Sequence, residues 1–215
     1  MYDALGVLLS GKRSVTVLDE IFKTERMQFP VGALRMRFTT NHDKNAWDAP
    51  AVTKLGMEGL KLATVLVNTI PGVPMIYSGE EVANDRKLDL FEKVEVDWSR
   101  PREVGELYAA LFHLRKRNKA LARGDMIRLG SNFPPEVYAF ARRLGEDAVI
   151  VVLNFSNEPR LVRVDVPLRA VFGSAEPRTA ADLFDGQRVA LRVEAGETIV
   201  SAMEPKACRV FVVQK

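Results

Sequence analysis

The sequence predicts an α/β part followed by an all-β part. Three observations predict it. Helical and strand-like apolar stretches alternate as helix, strand, helix, strand, helix over the first 122 residues, the pattern of parallel strands with helical connections. Beyond residue 122 the texture changes to short alternating strands separated by Gly, Pro and Asn turns, the pattern of an antiparallel sandwich. The run Phe38-Thr39-Thr40-Asn41-His42-Asp43 is a β-branched and aromatic hexad ending in three polar side chains. A strand reads this way when it delivers functional groups to the rim of a sheet or barrel. The expected domains are residues 1–122 and 123–215.

Each element has its own signal. Residues 1–34 read as helical: Val15, Leu18, Ile21, Phe22 and Glu25 follow a helical period, and Pro30 with Gly32 closes the segment. Residues 35–40 read as a short strand and 41–50 as a polar loop containing Trp47 and Asp48. A second helix spans about 51–68. It is apolar nearly all round (Val52, Leu55, Leu60, Leu62, Ala63, Val65, Leu66, Val67), so most of it belongs in a core. Pro71-Gly72-Val73-Pro74 breaks it. Met75-Ile76-Tyr77 then forms a second strand, followed by Ser78-Gly79-Glu80-Glu81. Beyond a charged loop, Pro101 opens a third helix striped by Val104, Leu107, Tyr108, Leu111 and Leu114. Strands are expected at 137–142, 148–155, 161–166, 188–193, 197–200 and 208–213.

With 47% hydrophobic and 27% charged residues, the 215-residue chain reads as a globular protein rather than a disordered one. A net charge of +3 describes a mixed surface. Arg115, Lys116, Arg117, Lys119 and Arg123 cluster where a helix ends, a place cations favour, and no interleaved aromatics point to nucleic acid. No apolar run reaches membrane-spanning length, so no membrane partner is expected. Met1-Tyr2-Asp3-Ala4 does not read as a signal peptide, and localisation stays open. The single cysteine, Cys208, excludes an intrachain disulfide and reads as a buried thiol on a strand.

Two motifs carry a resemblance. Phe38-Thr39-Thr40-Asn41-His42-Asp43 resembles the Asn-His-Asp strand-end motif of the α-amylase family of glycoside hydrolases. Pro71-Gly72-Val73-Pro74-Met75-Ile76-Tyr77-Ser78-Gly79-Glu80-Glu81 resembles that family's eighth barrel strand, and the trailing strands resemble its C-terminal domain. The resemblance implies a partial (β/α)8 barrel followed by an antiparallel β-sandwich. In it, 1–34 are similar to the sixth barrel helix, 35–43 to the seventh strand and 51–69 to the seventh helix. Residues 73–78 are similar to the eighth strand and 102–118 to the eighth helix. It implies an α-glucan or maltooligosaccharide substrate and retaining cleavage or transfer of α-glucosidic bonds. Asp43 is similar to the family's transition-state-stabilising aspartate, His42 to the histidine that hydrogen-bonds the sugar, and Asn41 to a positioning residue. Trp47, Asp48, Tyr77 and Glu80 fall on the substrate side. The family's nucleophile and general acid lie on earlier strands, and their motifs have no counterpart in this sequence. Retaining glycosidases hold two carboxylates roughly 5 Å apart, so ordinary amylase activity is not expected of this chain alone.

Other readings stay open at this stage. Taken bare, His42 and Asp43 also read as a polar loop capping a strand. Glu80 and Glu81 also read as a solvated loop or a brace for the rim, and Trp47 and Asp48 as loop anchors. A separate alternative gathers His42, Asp43, Asp48 and Glu80 around a divalent metal, giving a stand-alone oligomeric hydrolase with metal-activated water. No His-x-x-x-His or paired-Cys spacing supports it, and His113 reads as a packing or surface residue. A third alternative is a non-catalytic carbohydrate-binding remnant. Two parallel strands cannot close an eight-stranded barrel. The apolar faces of 36–40 and 73–77, and much of helix 51–69, are therefore expected to meet water and to drive formation of a homo-oligomer.

Overall fold

The structure is a computed structural model, and it describes residues 1–173, 176, 178–191 and 198–213. Residues 192, 193 and 197 of the expected strands lie outside the described residues. The first helical stretch is two helices, α1 (Tyr2–Leu9) and α2 (Val17–Gln28). Gly11, at φ +71°, turns the chain between them. β1 (Met36–Arg37) and β2 (Val73–Pro74) pair in parallel, Met36 opposite Val73 and Arg37 opposite Pro74. Both are shorter than expected, and 75–77 lie outside the ladder. Pro74 has no N–H to donate, and one bond on each side, Val73 N–H to Arg35 O and Met75 N–H to Arg37 O, both 2.8 Å, completes the pairing.

The crossover between these strands is helical. Gly56, at φ +71°, divides the expected single helix into α3 (Ala51–Leu55) and α4 (Met57–Thr69). α5 (Glu103–Arg117) follows the charged loop. α6 (Lys119–Arg123) is capped by Asn118, whose side chain accepts from the Ala120 N–H at 3.0 Å.

The β part holds β3 (Asp125–Ser131), β4 (Val137–Leu144), β5 (Asp147–Asn154) and β6 (Arg160–Asp165). Helix α7 (Leu168–Phe172), β7 (Arg178–Asp182), β8 (Arg188–Leu191), β9 (Thr198–Met203) and β10 (Cys208–Val213) complete it. The eight strands form one antiparallel sheet in the order β8-β7-β10-β5-β4-β3-β6-β9. β3 pairs with β4 through Leu129, then with β6 at Gly130 and Ser131. A strand that changes partner along its length turns a corner in the sheet, and the edge strands β8 and β9 come back into contact. The pattern had not marked β3, β7 or α7.

β4 and β5 are apolar on both faces, and the structure uses both. Val137, Ala139, Ala141, Ile150 and Val152 face the interior of the β part, with Val162, Val164, Leu168, Ile199 and Phe211. The alternate residues Tyr138, Phe140, Val149, Val151 and Leu153 face the helices and join one core with Leu5, Leu8, Leu18, Leu62, Leu66, Ile70 and Leu111. The expectation that helix 51–69 meets water is therefore corrected: Leu60, Leu62, Val65, Leu66 and Val67 are fully buried. The β part, α1 and α5 cover this helix. Met36 and Val73 on the two short strands do remain exposed, at 60% and 48%. Among the described residues no helix is long and apolar enough to cross a membrane.

Two arginines bind the layers. Arg142 of β4 is buried and donates to Thr69 O at 2.6 Å and Gly124 O at 2.8 Å. These carbonyls sit at the C-terminal ends of α4 and α6, where the helix dipole attracts a cation. Burial pulls its pKa down to about 10, which leaves it charged at neutral pH. Arg37 of β1 grips Glu25 of α2 with two bonds of 2.7 and 2.6 Å and donates to Pro71 O at 2.8 Å. Burial works against the Glu25 charge, yet the Arg37 bonds hold its carboxyl below the ordinary range. Arg142→Ala would leave a cavity and two orphaned carbonyls, with a predicted loss of about 3 kcal/mol, read by urea unfolding; a loss within experimental error would show that the clamp contributes nothing.

Candidate active site at the strand ends

The candidate residues follow β1. Thr39 and Thr40 are buried, and the chain then surfaces at Asn41. What reads as a loop is wound into a helical turn. The Asn41 side-chain oxygen accepts from Lys44 N–H at 2.8 Å, its carbonyl accepts from Asn45 N–H at 2.8 Å, and a π-helical segment runs over Lys44–Asp48. This turn holds His42 and Asp43 outward, 63% and 60% exposed, with Nε2 of His42 3.4 Å from Oδ1 of Asp43. Trp47 is 71% exposed.

The turn is tethered at three points. At its start, Thr39 donates to Glu80 Oε1. At its middle, buried Asn45 accepts from Leu88 N–H at 2.6 Å. At its end, Asp48 accepts from Tyr2 Oη at 2.8 Å and pairs with Lys54, which also donates to Tyr2 Oη at 3.0 Å. The Lys54 bond, seconded by Tyr2, holds the Asp48 carboxyl below its usual range. Asp48 is thus an anchor for α1 and α3.

Glu80 is turned inward rather than toward the cleft. It is 5% exposed and sits among Thr39, Tyr108 of α5 (3.5 Å) and the Tyr77 N–H (2.8 Å). Tyr77 reaches this site through its backbone. Burial pushes the Glu80 pKa up to about 7, Glu81 adds to the rise, and the hydrogen bonds oppose it. Glu81 accepts from the Gly79 N–H at 2.8 Å and closes the turn. The four residues proposed to share a metal therefore do not converge: His42 and Asp43 face solvent, Asp48 is held by Lys54 and Tyr2, and Glu80 is buried. Among the described residues no group of three or more His, Cys, Asp or Glu side chains is placed to hold a metal ion.

Sequence reasoning missed Tyr2, Thr39, Asn45, Lys54 and Tyr108 as members of this site. Tyr108 carried a usable signal, since a tyrosine in an apolar stripe needs a partner for its hydroxyl. Tyr2 and Lys54 carried none. His113 is exposed on α5, away from the turn. Burial pushes the Cys208 thiol up to about 12, which leaves it protonated and inert as a nucleophile at neutral pH.

Two parallel strands joined by a helical crossover, with polar residues beyond the C-terminal end of the first, form one β/α unit of the kind a barrel repeats; an antiparallel β domain follows it. No family model matches the chain. Alpha-amylase MalA of Haloarcula japonica is 28% identical over 167 residues, which are 75% of this chain and 24% of that protein. The solved maltogenic alpha-amylase AmyB of Thermotoga neapolitana superposes with a TM-score of 0.81 at 22% identity, over 98% of this chain and 48% of that one. AmyP, solved in complex with maltose, superposes with a TM-score of 0.70 at 18% identity, over 94% of this chain and 45% of that one. In sequence and in fold the chain is similar to part of these alpha-amylases. It spans about a quarter of the length of MalA and about half that of AmyB and AmyP.

The inward Glu80 makes a prediction about pH. Its folded pKa of about 7 lies above the ordinary 4.5. Its contribution to stability is therefore fully present below about pH 4.5 and is lost as pH rises through about 7. The loss is on the order of 3 kcal/mol. Glu80→Gln should remove this pH dependence, so that unfolding free energies of the two proteins diverge in favour of the variant from pH 5 to pH 8. Parallel stability curves would place the Glu80 titration elsewhere.

Proposed function

We propose that this chain supplies one side of an α-glucan site in an α-amylase-family glycoside hydrolase. Asp43 stabilises the oxocarbenium-like transition state, His42 holds sugar hydroxyls, Asn41 fixes their turn, and Trp47 offers an indole face to a pyranose ring. The nucleophile and general acid come from β/α units outside this chain. The observation that carries this reading is the exposed His42–Asp43 pair beyond β1, while the neighbouring carboxylates Asp48 and Glu80 are engaged in holding the turn and Glu81 closes its own turn at Gly79. One free carboxylate can stabilise charge but cannot perform a two-carboxylate displacement. Val31, Leu34, Met36 and Val73 are exposed, and β1 and β2 have open edges. On this reading that surface receives the complementary units, or a second copy of the chain in their absence.

The test mixes the chain with a separately produced preceding β/α portion of MalA and follows maltotriose hydrolysis. Activity should appear only in the mixture, and Asp43→Asn should lower kcat by about 10²–10³. Equal hydrolysis by the chain alone, or a mixture indifferent to Asp43→Asn, would overturn the reading. Binding of maltotriose without turnover in every mixture would instead make the chain a carbohydrate-binding module.

A further inference from the structure

Glu80 lies outside the proposed chemistry, yet it joins the segment after β1, the segment after β2 and α5. Its Oε1 accepts from the Thr39 hydroxyl, which is the end of the β1 segment. Its Oε2 accepts from the Tyr77 N–H at 2.8 Å, on the segment that follows β2. The Tyr108 hydroxyl of α5 lies 3.5 Å from both Glu80 Oε2 and Thr39 Oγ1, closing a triangle. The groups facing Glu80 are thus Thr39, Tyr77 and Tyr108, with the charge of Glu81 from its own turn. Among the described residues Glu80 forms no ion pair. Salt bridges brace the neighbouring parts of this region, Arg37 with Glu25 and Lys54 with Asp48. Here the brace is a buried carboxyl fed only by hydroxyls and an amide.

There is little slack between Thr39 and the site. Thr40 is buried, and Asn41 is committed twice to the turn, through its side chain to Lys44 and through its carbonyl to Asn45. Consecutive Cα atoms are about 3.8 Å apart, so a shift of Thr39 reaches Asn41 within two peptide units. We propose that Glu80 is a positioning residue: through the Thr39 hydroxyl it fixes the end of β1 and so sets how the 41–43 turn presents His42 and Asp43.

The triangle has two hydrogen-bonding states. An ionised Glu80 only accepts, and receives hydrogen bonds from the Thr39 hydroxyl and the Tyr77 amide. A protonated Glu80 must donate one bond, to Thr39 or Tyr108, and the freed Thr39 hydroxyl then turns toward Tyr108. No covalent bond changes; one proton is taken from solvent, and the direction of the hydroxyl bonds reverses. Because the Glu80 pKa is raised to about 7, this reversal falls near neutral pH. It deepens the sugar-site reading of the 41–43 turn, but its test needs no sugar.

The experiment uses amide NMR of the full chain in a His42→Asn background, which removes the imidazole of the turn. The amide signals of Asn41 and Asp43 should move with pH at a midpoint near that of the Tyr77 amide, which reports Glu80 directly. Glu80→Gln and Thr39→Val should abolish the movement at 41 and 43, while Thr39→Ser, which keeps the hydroxyl, should restore it. Thermal unfolding of each variant confirms that it is folded. A Tyr77 amide that titrates while Asn41 and Asp43 stay still would overturn the proposal, and so would a Tyr77 amide that does not titrate. Loss of maltotriose binding with these shifts intact would count against the sugar-site reading alone.

Discussion

The helical and β parts meet around the buried guanidinium of Arg142, which among the described residues forms no salt bridge with a carboxylate. Arg142 reaches from β4 to carbonyls at the ends of α4 and α6, so two helix C-termini favour its charge, and the Asp125 carboxylate adds to this. That arrangement works only because the surroundings are closed. Tyr138 and Phe140 on the same face of β4 seal the contact with Leu62, Leu66 and Leu114. An isolated pair of short parallel strands has almost no stability of its own. Here the crossover helix is held between α5 and the β domain, and the strands are held by the crossover helix.

This explains how a partial barrel can still display a strand-end site. The turn at 41–48 draws on three sources: a buried carboxyl at Glu80, a backbone amide received by Asn45, and the Tyr2–Asp48–Lys54 group that brings in α1. Each tether lies on a different element. The exposed His42–Asp43 pair is the part that none of them consumes. Polar groups that converge on nothing inside the protein are the ones available to a ligand, and here they sit where β/α proteins place their chemistry.

Much of this was readable from residues. The apolar all-round pattern of about 51–68 marked a buried helix, and the apolar run at 148–155 marked a strand. The hexad ending in Asn41-His42-Asp43 marked where the chain surfaces after β1. What failed had physical causes. The helix was expected to lose its cover because the pattern shows that a face is apolar but not what covers it; the second face of β4 and β5 was the answer. Gly56 split a helix whose apolar content alone looked continuous. Glu80 was placed on the substrate side because a Gly-Glu-Glu turn reads as exposed. Its burial depends on Thr39 and Tyr108, 41 and 28 residues away, which no local pattern reports. β3 and β7 were missed because their alternation is diluted by Arg, Asp and Ser.

The account stands on one claim: the helical layer and the β domain are a single cooperative unit. Native-state hydrogen exchange on the isolated chain tests it most directly. Amides in α4 (Met57–Thr69) and β5 (Asp147–Asn154) should share the same opening free energy, that of global unfolding. Exchange in α4 that is orders of magnitude faster than in β5 would mean that the barrel part opens independently. The shared core, and the held turn that depends on it, would then be contradicted.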